Sequence, residues 1–112
     1  MLESGDILLV VHRRLFEYDH SRFFVGRVEK YEDGIVRLCG YTFARDSVDG
    51  NFCRKAERHT KLYAIGSGTL ITYIVPTNVD LENIKMVTLG AGLTLTDGGS
   101  FAMNISEWVH QH

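Results

Sequence analysis

The sequence predicts an all-β domain, and three observations carry that expectation. Turn signals built from glycine with acids or small polar residues recur at Glu32-Asp33-Gly34, Asp49-Gly50-Asn51, Gly66-Ser67-Gly68 and Asp97-Gly98-Gly99. The segments between them are rich in valine, isoleucine, threonine, tyrosine and phenylalanine, which suit a pleated, half-buried surface. Side chains paired across two of these turns also sort by chemistry onto opposite faces.

Length and composition set the frame. The chain has 112 residues, 45% hydrophobic and 23% charged, so it is expected to fold as one domain over residues 1–112 without crosslinks. No apolar run approaches the ~20 residues of a membrane-spanning helix. The apolar run 7–11 is too short and wrongly flanked for a signal peptide, which gives a cytoplasmic expectation and no membrane partner. Cys39 and Cys53 are then expected as reduced core thiols.

The first run, residues 7–18, is expected to pair with 22–31 through a turn at Asp19-His20, with Val11 facing Val28. The hairpin over residues 22–45 is the best specified element. With Glu32-Asp33-Gly34 as a three-residue loop, Glu29 faces Arg37, Val28 faces Leu38 and Gly26 faces Gly40. Facing glycines inside paired strands mark a sharp bend, as in the closure of a small barrel.

Residues 52–61 fit either a helix or an exposed, charged strand. Residues 70–75 are nearly all apolar and end at Pro76, which predicts a buried central strand, with 62–65 as its hairpin partner. A short turn through Asp80, Leu81 and Ile84 follows, capped by Thr77 or Asn78. The last element is a hairpin over residues 88–106, with Leu95 facing Phe101 and Leu93 facing Met103. Those four side chains are expected in the intramolecular core, the other reading being a contact between copies.

At this point the chain resembles the Sm-like small β-barrels over about residues 7–87. The resemblance rests on Phe24-Val25-Gly26-Arg27-Val28, then Glu32-Asp33-Gly34 and Ile35-Val36-Arg37-Leu38, which look like the first Sm motif. It implies a small, strongly bent barrel over 7–87 to which the hairpin 88–106 is added. It also implies ring-like assembly through edge strands. The asparagine that follows the loop aspartate in that family has no counterpart after Asp33, and the second motif is missing near Pro76-Thr77-Asn78. The resemblance therefore argues against the family's uridine-rich RNA site.

Residues bearing chemistry are sparse. Gly66-Ser67-Gly68 and Gly90-Ala91-Gly92 do not continue into a nucleotide-binding fingerprint. There is no Cys-x-x-Cys, His-Glu-x-x-His or EF-hand pattern, so neither a metal nor another cofactor is expected. His110 and His112 read as solvated residues. His12, His20 and His59 have no local signature joining them to Cys39 or Cys53, and Glu29, Glu32 and Asp33 read as solvated hairpin acids. The chain is therefore expected not to be an enzyme.

Charge is distributed unevenly. Residues 12–61 hold eleven of the twelve lysines and arginines, and residues 62–112 are net acidic. This polarity suggests contact between copies, basic edge to acidic edge. The expected function is a non-enzymatic interaction module that self-associates into a homo-oligomer. The alternative is a single-stranded nucleic-acid binder, and after it a small-molecule pocket or enzyme centred on His12, His59 or Cys39. Arg13, Arg14, Arg54, Lys55 and Arg58 are the candidate contact residues for nucleic acid or a neighbouring subunit.

Overall fold

The computed structural model describes residues 2–12, 22–45, 51–89 and 92–105. It is all-β, with one short 3₁₀ turn. The strands are β1 (Ile7–His12), β2 (Arg22–Glu32), β3 (Ile35–Arg45), β4 (Phe52–Arg54), β5 (His59–Ala64), β6 (Leu70–Val75), β7 (Lys85–Leu89), β8 (Gly92–Thr96) and β9 (Ala102–Asn104). The 3₁₀ turn is Leu81–Asn83. No helix among the described residues is long and apolar enough to cross a membrane.

The larger sheet runs β4-β3-β2-β1-β6, with β5 also paired to β3. All its pairings are antiparallel. β5 takes the half of β3 nearest the hairpin turn and β4 takes the far end. β5 and β6 follow one another in the chain but lie at opposite edges and do not pair. The expected barrel is therefore not closed. The expected hairpin of 62–65 with 70–75 is also corrected: each run pairs with an earlier strand instead.

The β2–β3 hairpin spans the expected residues, and Gly26 faces Gly40 and Val28 faces Leu38 as expected. The loop differs. Asp33 and Gly34 both have positive φ, 52° and 79°, so the strands are joined by a two-residue turn rather than a three-residue one. A bulge between Val28 and Lys30 takes up the extra residue, so that Lys30 faces Arg37. The expected charge pairing survives the bulge: Glu29 Oε1 lies 3.0 Å from Arg37 Nε.

Gly26 and Gly40 lie on the concave side of a bend. Phe24, before the bend, and Val28, Val36 and Leu38, after it, belong to one apolar cluster with Leu8, Val10 and Tyr63. Side chains on one face of a flat hairpin would not meet in this way. The hairpin thus folds back over one face of β1. The other face of β1, carrying Ile7, Leu9 and Val11, packs with Phe23, Val25, Phe43 and the inner side of a second sheet. Residues 7–11 of β1 are buried on both sides. A strand covered on both faces needs no alternation, so this continuous apolar run does not mark its own register: Val11 faces Phe23, not Val28 as expected. The turn expected at Asp19-His20 lies outside the described residues.

The second sheet has the order β7-β8-β9. It includes the expected C-terminal hairpin but begins earlier, with β7. Leu95 faces Met103, a shift of two residues from expectation, so the same side chains stay on the inner face. Leu93 and Leu95 are core residues, with Phe101 and Met103 packed against them, so all four are intramolecular. Asp80 caps the 3₁₀ turn, in place of Thr77 or Asn78, by accepting from the Glu82 amide at 3.1 Å. Of the two cysteines, Cys39 is half-buried and Cys53 is exposed on β4, and neither forms a disulfide.

Tyr63 makes the fold sensitive to alkali. Its ring packs beside those of Phe24 and His12, and burial pushes its phenol from 10.0 up to about 12. The folded state thus favours the protonated phenol. Its contribution to stability is complete below pH 10.0 and is lost as the pH rises towards about 12. Urea midpoints across this range are expected to fall for the natural chain. Tyr63→Phe is expected to flatten that part of the profile, and an unchanged slope would contradict the assignment.

Candidate functional site

Three of the candidate contact residues, Arg54, Lys55 and Arg58, lie on the segment that runs from β4, through residues 55–58, into β5. β4 is short because only Phe52 finds the core, where its ring meets Phe23 edge-on with centroids 5.2 Å apart. The run Lys55-Ala56-Glu57-Arg58 that follows is exposed throughout. The Lys55 amide ties it to the sheet, donating to the Thr42 carbonyl at 2.8 Å. Of the two readings open for residues 52–61, the exposed strand is the one found, interrupted by a bend at Ala56-Glu57.

Arg54 and Arg58 converge on Glu82. The Arg54 guanidinium lies over the Tyr41 ring, 4.3 Å from its centroid, and Nη1 donates to the Glu82 carbonyl at 2.7 Å. Arg58 Nη1 approaches Glu82 Oε2 at 3.5 Å. The Tyr41 hydroxyl donates to Glu82 Oε1 at 2.8 Å. This acceptor stabilises the protonated phenol, and with burial and the Glu82 charge it raises the Tyr41 pKa. The Arg58–Glu82 pair is exposed and contributes about 0–1 kcal/mol. The cation–π contact of Arg54 adds roughly 0.5–1 kcal/mol.

The turn that presents Glu82 is itself tied down. Asp80 Oδ2 accepts from Asn83 Nδ2 at 2.6 Å, and the Asp80 amide donates to Asp97 Oδ2 at 3.2 Å. Asp97 Oδ1 accepts from the Gly99 amide at 2.8 Å. These amide donors, Gly99 foremost, lower the Asp97 pKa.

The contact expected between the basic half of one copy and the acidic half of another is thus made, for Arg54 and Arg58, within a single copy. Lys55 points its charge into solvent beside them. Arg13 and Arg14 lie outside the described residues. Only the fold brings Glu82 to Arg54 and Arg58, and no local pattern signals it.

The residues considered for chemistry do not assemble. Cys39 faces Thr60 and His59 faces Gly40 across β3–β5, while His12 sits at the end of β1 between Arg22 and Leu70. Burial, then Lys61 and Arg22, lowers the His12 pKa. No hydrogen bond among the described residues joins His12, His59 and Cys39. Glu29 pairs with Arg37 and Glu32 with Lys30, as hairpin acids ordinarily do. No group of three His, Cys, Asp or Glu among the described residues is placed to hold a metal ion.

The sheet edges are the other candidate. β6 was expected in the centre of a sheet, yet among the described residues it pairs only with β1. Its inner face, Ile71, Tyr73 and Val75, packs into the core, while Ile74 on the outer face is 74% exposed. β5 forms the opposite edge of its half of the sheet, with Leu62 69% exposed beside Ile35 at 43%. Backbone bonds alternate along an antiparallel strand. The Val28 amide donates to the Asp6 carbonyl, so Leu8 and Val10 bond towards β2, and Leu9 and Val11 towards β6. The amides of Thr72 and Ile74 therefore point outward. The Ile65 amide donates to the Gly34 carbonyl, so by the same alternation those of Leu62 and Ala64 point outward from β5.

No family model, curated protein or solved structure matches this chain.

Proposed function

We propose that the protein is a non-enzymatic assembly module that self-associates, β6 of one copy adding to β5 of the next. The observation that carries this reading is the pair of open, unlike edges, each presenting outward amides beside an exposed aliphatic side chain, Ile74 on β6 and Leu62 on β5. Natural proteins normally blunt such edges with charge, proline or a covering element. β6 has no charged residue along its length. The second copy is the favoured occupant because every copy carries both of these unlike edges, so that each edge finds its complement on a neighbour. A head-to-tail contact of unlike edges closes into a ring if its rotation permits and otherwise grows as a filament.

The Sm-like comparison belongs to this proposal. It is supported by the bent β2–β3 hairpin, by the facing glycines, and by a short turn ahead of a further strand. The nucleic-acid reading draws on the same basic segment. It is less favoured because Arg54 and Arg58 are already engaged by Glu82.

Sedimentation equilibrium tests the proposal. The natural chain is expected to gain mass with concentration. Ile74→Lys and Leu62→Lys, each placing a charge in the seam, are expected to weaken association by roughly tenfold or more, about 1.4 kcal/mol. Each variant retains one competent edge, so an equimolar mixture is expected to form one-to-one dimers under conditions where either alone is monomeric. A natural chain that stays monomeric up to millimolar concentration would overturn the reading.

A further inference from the structure

One face of the bent hairpin changes character along its length. Phe23, Val25, Tyr41 and Phe43 are covered by the second sheet. Beyond the 3₁₀ turn the same face continues as Arg27, Cys39 and Arg37, because alternate residues share a face. Here the cover ends, and a cleft of about 810 Å³ opens between the hairpin, the bend at Ser4-Gly5 and the turn.

Three arginines from separate segments line the cleft: Arg27 of β2, Arg37 of β3 and Arg58 of the β4–β5 connection. The carboxylates beside them are already engaged. Glu29 meets Arg37, Glu82 meets Tyr41 and Arg58, and Asp80 caps the turn. The guanidinium groups are not used up. Each carries five N–H donors. Arg37 meets Glu29 through Nε, and Arg58 meets Glu82 through Nη1. Arg27 donates from Nη1 to the Gly5 carbonyl at 3.0 Å and makes no ion pair among the described residues. The cleft thus keeps spare guanidinium donors, and their complement is an oxyanion, which Arg can take with two parallel bonds. Val79 and Leu81 supply an apolar wall. The volume is that of a site for a small organic molecule.

We propose that this cleft binds a small organic oxyanion, a carboxylate or a phosphate ester, seated on Arg27 and Arg37 with its apolar body against Leu81. No residue of β5 or β6 lines the cleft, so the inference stands independently of self-association.

Cys39 lines the cleft and provides the readout. The chain has two cysteines, so in a Cys53→Ser background it is the one thiol left. Its alkylation by iodoacetamide, a neutral reagent, is followed with benzoate, phenyl phosphate or phenol at equal millimolar concentration and matched ionic strength. At least one of the two anions is expected to slow alkylation by roughly tenfold, and which one does so names the headgroup. Phenol is expected to have no such effect. Arg27→Gln and Arg37→Gln are each expected to remove the protection while keeping the circular dichroism of the folded chain. If Arg27→Gln does not fold, Arg27→Lys, which keeps the charge but not the two-pronged donor, is expected to reduce protection. Absence of protection by both anions, equal protection by phenol, or protection retained in the arginine variants would overturn the proposal.

Discussion

Replacing Gly40 with alanine is expected to destabilise the fold by about 3 kcal/mol or more, at the upper end of what overpacking costs. A Cβ at this position would run into the carbonyl oxygen of Val25 and the Cα of Gly26. These are backbone atoms of the facing strand, and they cannot give way without breaking the pairing that holds the hairpin together. Gly26 is the more forgiving partner. A Cβ there meets Phe24 Cε2 at 2.9 Å and the Cys39 carbonyl at 3.1 Å, and a ring edge can turn aside. Gly26→Ala is therefore expected to cost less, about 1–3 kcal/mol. Urea unfolding midpoints measure both. A Gly40→Ala variant as stable as the natural chain would mean that the two strands do not approach so closely, and the bend would lose its explanation.

The second large effect concerns β1. Leu8→Ala and Leu9→Ala are each expected to cost about 2–5 kcal/mol, the range for deleting a fully buried leucine. Successive side chains on a strand point to opposite faces. In a sheet with one wet face, one of these substitutions would be nearly neutral. Here Leu8 packs under the folded hairpin and Leu9 under the second sheet, so neither is spared. Comparable losses in both variants support the two-sided cover of β1. A cost for only one would show that one of those layers does not close.

These two expectations also mark what can be read from residues alone. The facing glycines and the Glu29–Arg37 pair are legible because a hairpin is local and its pairing sorts side chains by chemistry. The bulge beside Glu29 is not, since one extra residue leaves the pattern on either side intact. β9 shows the same limit: a slip of two residues preserves the inner face and goes unseen. The run at 70–75 shows a different one. Its apolar character speaks for strand, but whether a strand lies at the centre or the edge depends on which other strands reach it. The failure of the barrel to close has the same origin, because it turns on β5 and β6 choosing distant partners over each other. At the candidate site, Arg54 and Arg58 stood out as charge, while their acceptor Glu82 lies 28 and 24 positions further along the chain and became visible only through the fold. The cleft around Arg27 had no sequence signature, because its three arginines come from three segments that the bend brings together.

Hydrogen exchange as a function of protein concentration tests the proposed edge pairing most directly. The amides of Thr72 and Ile74 on β6, and of Leu62 and Ala64 on β5, face outward and have no partner strand among the described residues. In dilute solution they are expected to exchange as exposed amides do. As concentration rises, both sets are expected to become protected together, while amides paired inside the sheet stay unchanged. Exchange at these four positions that is independent of concentration, in a chain whose mass is also constant, would contradict assembly through the edges.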